Sequence, residues 1–203
     1  MNIKLPAIIT FSILVAACSP SKQEEKNQTS NVKPVTEEAG VIIGAQPEPD
    51  TLKGSLKAYA TASLSGADVR VNYYSPAVRG RVIWGGLVPY DNVWVTGAHR
   101  ATHIEFNKDL KFGEKIIPAG KYALFTIPGK DSWNVIINKN WNQHLADNYT
   151  TVDDIVRIKV TPAITNQLQE RLRYTFTEPG AGSGNLVIQW EQIQITVPFE
   201  VLN

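Results

Sequence analysis

The sequence predicts an all-β fold: an antiparallel β-sandwich or irregular barrel of about 8–10 strands, with at most one or two short helical turns. Three observations carry this expectation. From residue 51 onward apolar and polar residues alternate with a period of two, Gly and Pro recur between the alternating runs, and no apolar run keeps helical spacing beyond two turns. The segment 51–203 is of the size at which one domain buries roughly 68–70% of its unfolded surface, so a single β domain without a disulfide is expected there.

Taken in order, the chain opens with MNIKLPAIITFSILVAA. Lys4 precedes an apolar run that ends in small residues, the layout of a secretory signal. The run is shorter than the roughly 20 apolar residues that a membrane-spanning helix needs. Val15-Ala16-Ala17-Cys18 resembles the bacterial lipobox, which implies a lipoprotein signal peptide over 1–17, cleavage before Cys18 and lipidation of its thiol. Cys18 is the only cysteine, so no internal disulfide competes for it. Ordinary cleavage after Ala17 is the alternative, and it leaves the thiol unused. Two or more acyl chains give stable anchoring, so the expected partner here is the membrane itself.

Residues 18–50 follow as a tether. The stretch lacks aromatic residues and is rich in Pro, Ser, Gln, Asn and Glu, a composition that buries too little apolar surface to offset chain entropy. Only Val41-Ile42-Ile43 is apolar enough to add an edge strand. Lys22-Gln23-Glu24-Glu25 resembles the surface-export signal of Bacteroidetes lipoproteins, so an envelope location is expected, with the outer membrane favoured and its periplasmic or surface face left open. The net charge of the whole chain is +1, which does not point to nucleic acid.

The strands come next. Alternation predicts them near 55–63, 67–74, 101–106, 154–161, 170–177, 185–190 and 193–201, with short pieces around 93–95 and 110–117. Lys121–Ile127 and Trp133–Asn138 form a hairpin across Pro128-Gly129-Lys130-Asp131, where the Pro-Gly pair suits a turn with positive φ at Gly129. Arg157 and Lys159 fall on one face of their strand, with Val156, Ile158 and Val160 on the other. Pro198 predicts a sheet edge or bulge. Gly180 to Gly184 reads as a flexible hairpin loop. The rival helical segments are Ala163–Arg173, expected to form at most a turn or two, and the patch from Trp141 to Tyr149. Trp133 and Trp190 lie in strand patterns and read as core.

The stretch from Tyr74 to Arg100 is too rich in Gly, Pro and Trp for a regular strand and too hydrophobic for a mobile loop. Its ligand-binding candidates are Arg79, Arg81, Trp84, Tyr90, Trp94, His99 and Arg100, joined by Trp141. The rings supply stacking faces and the guanidiniums supply planar donors. The series Tyr74-Ser75-Pro76, Arg79-Gly80-Arg81, Ile83 to Tyr90, Val93-Trp94, Thr96-Gly97-Ala98 and Ala101-Thr102 resembles the bacterial family called domain of unknown function 2911. Pro118 to Tyr122, Leu124 to Gly129, Trp133 and Asn138 to Trp141 continue the resemblance, which covers most of residues 55–201 and brings no established activity. The family usually has Asn and then an acidic or small residue after Thr-Gly-Ala. Here that place is taken by His99-Arg100, so a role for the family's pair does not carry over.

His99, His103 and His144 are weak metal candidates, with Glu105 nearby. In an extended chain four residues span roughly 13 Å, too far for His99 and His103 to share one ion. No Gly-x-Ser-x-Gly elbow, His-Glu-x-x-His pattern, phosphate loop or mature-domain cysteine nucleophile is present, and no cofactor is expected. The leading expectation is therefore a lipid-anchored, non-catalytic binding module for a small polar ligand, glycan or protein partner. An envelope hydrolase using Arg or His in the 75–103 region is the second, and a structural or assembly lipoprotein is the third.

Overall fold

A computed structural model gives the structure of the protein and describes residues 39–202. The expected signal peptide, Cys18 and the tether as far as residue 38 lie outside the described residues.

Ten strands are found among the described residues: β1 (Leu56–Leu64), β2 (Ala67–Ser75), β3 (His103–Phe106), β4 (Leu110–Phe112), β5 (Lys115–Ile117), β6 (Gly120–Ile127), β7 (Trp133–Asn138), β8 (Asp154–Val160), β9 (Ala163–Gly180) and β10 (Ser183–Val201). They form two antiparallel sheets, one ordered β1-β2-β3-β6-β7-β8 and the other β5-β4-β10-β9. Neither closes on itself, so the fold is a sandwich and not a barrel. The period-two alternation builds the core directly. Along β2, Val69, Val71 and Tyr73 face the interior while Arg70, Asn72 and Tyr74 fall on the opposite face. Ile104, Leu124 and Val135 come from the same sheet and meet Leu172, Tyr174, Leu186 and Ile188 of the smaller one. Tyr73 and Tyr174 bridge the two layers with ring centroids 4.5 Å apart.

The turns obey local chemistry. Ser65 and Gly66 both have positive φ, 47° and 77°, the two-residue geometry whose twist matches that of flanking strands. Gly129 differs from expectation, because it is not among the positive-φ residues. Glycine is needed there for space, since a Cβ would stand 2.5 Å from the Ser132 carbonyl oxygen. The 180–184 stretch is also tighter than a flexible loop. Strands β9 and β10 run to Gly180 and from Ser183, and Gly182 N donates to Ser65 Oγ at 2.7 Å.

Three further expectations change. Residues 163–173 are strand throughout, with no helical turn, because β9 pairs with β10 from Ala163 onward; non-local pairing overrides local propensity. Among the described residues the one helical turn is a 3-10 turn at Thr151–Asp153, capped by the Thr150 side chain. The strands expected at 185–190 and 193–201 are one element, β10, with register shifts on both sides of Glu191 that bend it. Pro198 lies between the stretch paired with β9, which ends at Gln194, and the residues paired with β4, which start at Glu200. Near 93–95, only Trp94 bridges, to Thr126.

The tether expected to reach residue 50 is docked well before that point. Val41 makes a parallel bridge to Ala58, through Val41 N to Lys57 O and Tyr59 N to Val41 O, both 3.0 Å. Ile43 enters the core. Glu170 N donates to Gln46 O at 2.8 Å, and Gln169 Nε2 donates to Gly44 O at 3.2 Å. Asp50 pairs with Arg171, which is only 1% exposed and also donates to the carbonyls of Leu52, Gly54 and Ser75. The guanidinium holds the Asp50 carboxyl below its ordinary value near 3.8.

Candidate functional site

The Gly-, Pro- and Trp-rich stretch closes one end of the sandwich, and most of its candidate residues are engaged in that closure. Arg79 adopts a φ of 50°, its N–H donates to Glu170 Oε1 at 2.9 Å, and its guanidinium donates to Leu52 O. The Arg81 guanidinium donates to the carbonyls of Val78 and Ala77. Trp84 packs among Trp94, Trp133 and Trp190, at centroid distances of 5.8, 4.7 and 5.8 Å. Trp94 stacks on Trp190 at 5.6 Å and donates from Nε1 to Gly97 O. The Tyr90 ring lies against Gly85, where an added Cβ would approach it to 2.8 Å. Trp133 and Trp190 are core residues, as their strand patterns predict; Trp84 and Trp94 join them instead of lining an open platform.

The other candidates gather elsewhere, on the outer face of the larger sheet. Thr96 and His99 both have positive φ, 51° and 63°, and the turn they make is pinned from several sides. Thr96 O accepts from Tyr174 Oη at 2.7 Å and from Thr102 Oγ1 at 3.0 Å, while Thr96 Oγ1 shares a hydrogen bond with Thr126 Oγ1 at 3.0 Å. This turn presents His99 and Arg100 beside Tyr74, whose ring meets His99 edge-on at 5.0 Å.

A second loop, residues 139–150, seats Trp141 over the same face. Ala101 N donates to Gln143 O at 3.1 Å and Leu145 N donates to His99 O at 2.9 Å, so the two loops are fastened together. Buried Gln143 and Asn138 organise the second loop from within, through Asn140 and Asn148 and through Asn140, Thr150 and Asp154 respectively. Tyr149 donates to Asp154 at 2.8 Å; burial first and then that carboxylate push its phenol up to about 12.

Between these loops and β1–β3 lies a cavity of about 230 Å³, lined by Lys57, Asn72, Tyr73, Tyr74, Arg100, Ala101, His103 and Trp141. Asn72 lies beneath it on β2, 4% exposed. Its Oδ1 accepts from Arg70 Nε at 3.0 Å, but its Nδ2 has no hydrogen-bond partner. Trp141, 36% exposed, carries the Lys121 ammonium 4.2 Å from its ring centroid, and its ring centroid lies 5.7 Å from that of His103. Of the sequence candidates, Arg100, His103 and Trp141 line the cavity and His99 adjoins it through Tyr74, whereas Arg79, Arg81, Trp84, Tyr90 and Trp94 do not line it. His144 points to Asp147, Nδ1 to Oδ2 2.8 Å. Among the described residues no group of three or more His, Cys, Asp or Glu is placed to hold a metal ion.

Sequence reasoning missed Lys57, Asn72 and Tyr74. The available signal was alternation, which puts Asn72 and Tyr74 on one face of β2. It does not reveal that two loops fold back over that face.

The family model for proteins of unknown function (DUF2911) matches residues 55–199. The chain belongs to this family. The matched span runs from the threshold of β1 into the last turn of sequence in β10, so both sheets, the four-tryptophan closure and the outer-face cavity are parts of the DUF2911 domain. No curated protein and no solved structure matches the chain.

Proposed function

We propose that this protein is a lipid-anchored envelope protein, held at the outer membrane through acyl chains on Cys18, whose β domain is a non-catalytic binding module for a small polar ligand. The observation that carries the binding reading is the outer-face cavity: a concave site with ring walls and a buried, unpartnered amide donor at Asn72. Leaving such a donor unsatisfied costs about 1–3 kcal/mol, a cost that an acceptor on a bound molecule offsets. The volume is below the roughly 300–1,000 Å³ typical of drug-sized ligands, which favours a single ring over an extended glycan. Of the residues the hydrolase reading offered in the 75–103 region, Arg79 and Arg81 turn their guanidiniums to backbone carbonyls, whereas His103 lines the cavity. Those two arginines and Trp84 instead favour a structural part for the 77–94 stretch within the same domain.

A thermal-shift panel of monosaccharides, sugar acids and amino acids, run on the mature full-length protein in detergent, tests this. A bound molecule raises the unfolding temperature by mass action. The expected result is stabilisation by at least one class of compound that Trp141→Ala removes. Stabilisation unchanged in Trp141→Ala, or none with any class, would overturn the reading.

A further inference from the structure

Resting on that reading, we propose that the cavity takes an anion: a monosaccharide-sized ring bearing a carboxylate or phosphate, with its charged oxygens facing Lys57, Arg100 and Asn72 Nδ2 and its ring beside Trp141 and Tyr74. The eight lining residues include two cations and no carboxylate. The polar atom left without a partner beneath the cavity is a donor, and only an acceptor satisfies it.

Arg70 and Lys121 stand opposite Glu105 in the strand register, next to the cavity lining and not within it. A cationic ligand would meet the Arg100 guanidinium with no lining carboxylate to offset it. Arg100 is well placed for the task. Its NH2 donates to Asn142 Oδ1, which fixes the plane of the guanidinium, and its exposed position leaves further N–H groups available on the fork. Trp141 is held from one side by the Lys121 ammonium and supplies an amphipathic ring wall for the C–H face of a sugar.

The test is a calorimetric titration of the mature full-length protein in neutral detergent, at fixed ionic strength, with glucuronate, glucose 6-phosphate, glucose, glucosamine and inorganic phosphate. The inference expects glucuronate or glucose 6-phosphate to bind at least about tenfold more tightly than glucose, the order expected when charge-assisted hydrogen bonds are added. Whichever of the two binds names the group as carboxylate or phosphate. Arg100→Gln should weaken that anion about tenfold, and more than it weakens glucose, and Asn72→Asp, which sets a carboxylate beneath the cavity, should abolish anion binding while circular dichroism confirms the fold. Glucose binding as tightly as the anions, or glucosamine binding more tightly, would overturn the anion while leaving the binding module standing. Inorganic phosphate binding as tightly as glucose 6-phosphate would overturn the ring. No binding by any of the five up to the millimolar range would overturn this inference, while the reading beneath it falls only if the thermal-shift panel also shows no stabilisation.

Discussion

A methyl group on Gly97 would stand 2.7 Å from Thr102 Oγ1 and 3.1 Å from Tyr74 O. Neither neighbour can retreat easily, because Thr102 Oγ1 is donating to Thr96 O and Tyr74 belongs to β2. Gly97→Ala is expected to destabilise the protein by about 1–3 kcal/mol, the usual penalty for overpacking, measured as a lower denaturant midpoint with unchanged slope. The same substitution should displace Arg100 and weaken any ligand held in the cavity. The sequence places Thr96-Gly97-Ala98 in a stretch too hydrophobic for a mobile loop, yet it offers no way to see which atoms crowd it. Asn72 and Arg171 teach the same lesson from the other direction. Both are polar residues in alternating strands, where solvent is the ordinary surrounding, and both are buried because distant chain folds over them. Burial of that kind depends on residues far away in sequence, so no local pattern announces it.

At the scale of elements, the amino-terminal segment from Val41 to Gly54 is joined to β9 through Arg171. The Asp50 carboxyl is held below its ordinary value near 3.8, chiefly by its hydrogen bonds to Arg171. A carboxyl whose folded value is depressed contributes stability that is complete above the unfolded value and is lost as pH falls through the folded one. The stability gap between the native protein and Asp50→Asn is therefore expected to stay constant above about pH 3.8 and to narrow below it. Denaturation midpoints across that range check this, and a gap that persists at full size to pH 2 would refute it. Element types were largely legible: the 121–127 and 133–138 hairpin and the alternating β8 follow from composition alone. The first half of β9 was not. Ile164, 82% exposed, and Leu168 are spaced four apart and mimic a helical stripe, while the pairing with β10 that decides the matter is invisible locally. Val41 makes the edge contact expected of Val41-Ile42-Ile43, but the docking of residues 44–54 was missed for a related reason. The segment's apolar content is low, and apart from Ile43 its attachment is made by hydrogen bonds and one ion pair.

For the whole molecule, the address and the site belong to separate parts of the chain. The proposed anchor at Cys18 precedes the described residues, and the cavity opens on the larger sheet. Cys18→Ser is expected to move the protein from the detergent phase to the aqueous phase in a phase-partition assay, with its thermal unfolding unchanged. Retention in the detergent phase would overturn the lipid anchor. The all-β class and the family were both readable from sequence, because alternation and ordered motifs are spread over the entire domain. The location of the cavity was only half readable. It needs a strand face, a strained turn and a loop from three separate parts of the chain to meet.

The docking of the amino-terminal segment also determines how the domain bears load. A pull applied on the amino-terminal side of residue 41 reaches first the two hydrogen bonds that Val41 shares with β1, next the bonds that join Gly44 and Gln46 to β9, and then the Asp50–Arg171 pair. Only after these have yielded does the force act on β1 itself. The attachments stand in series like successive fuses, and the first of them is made at Lys57, a residue of the cavity wall, so tension on the leash is felt at the cavity's edge before the rest of the domain.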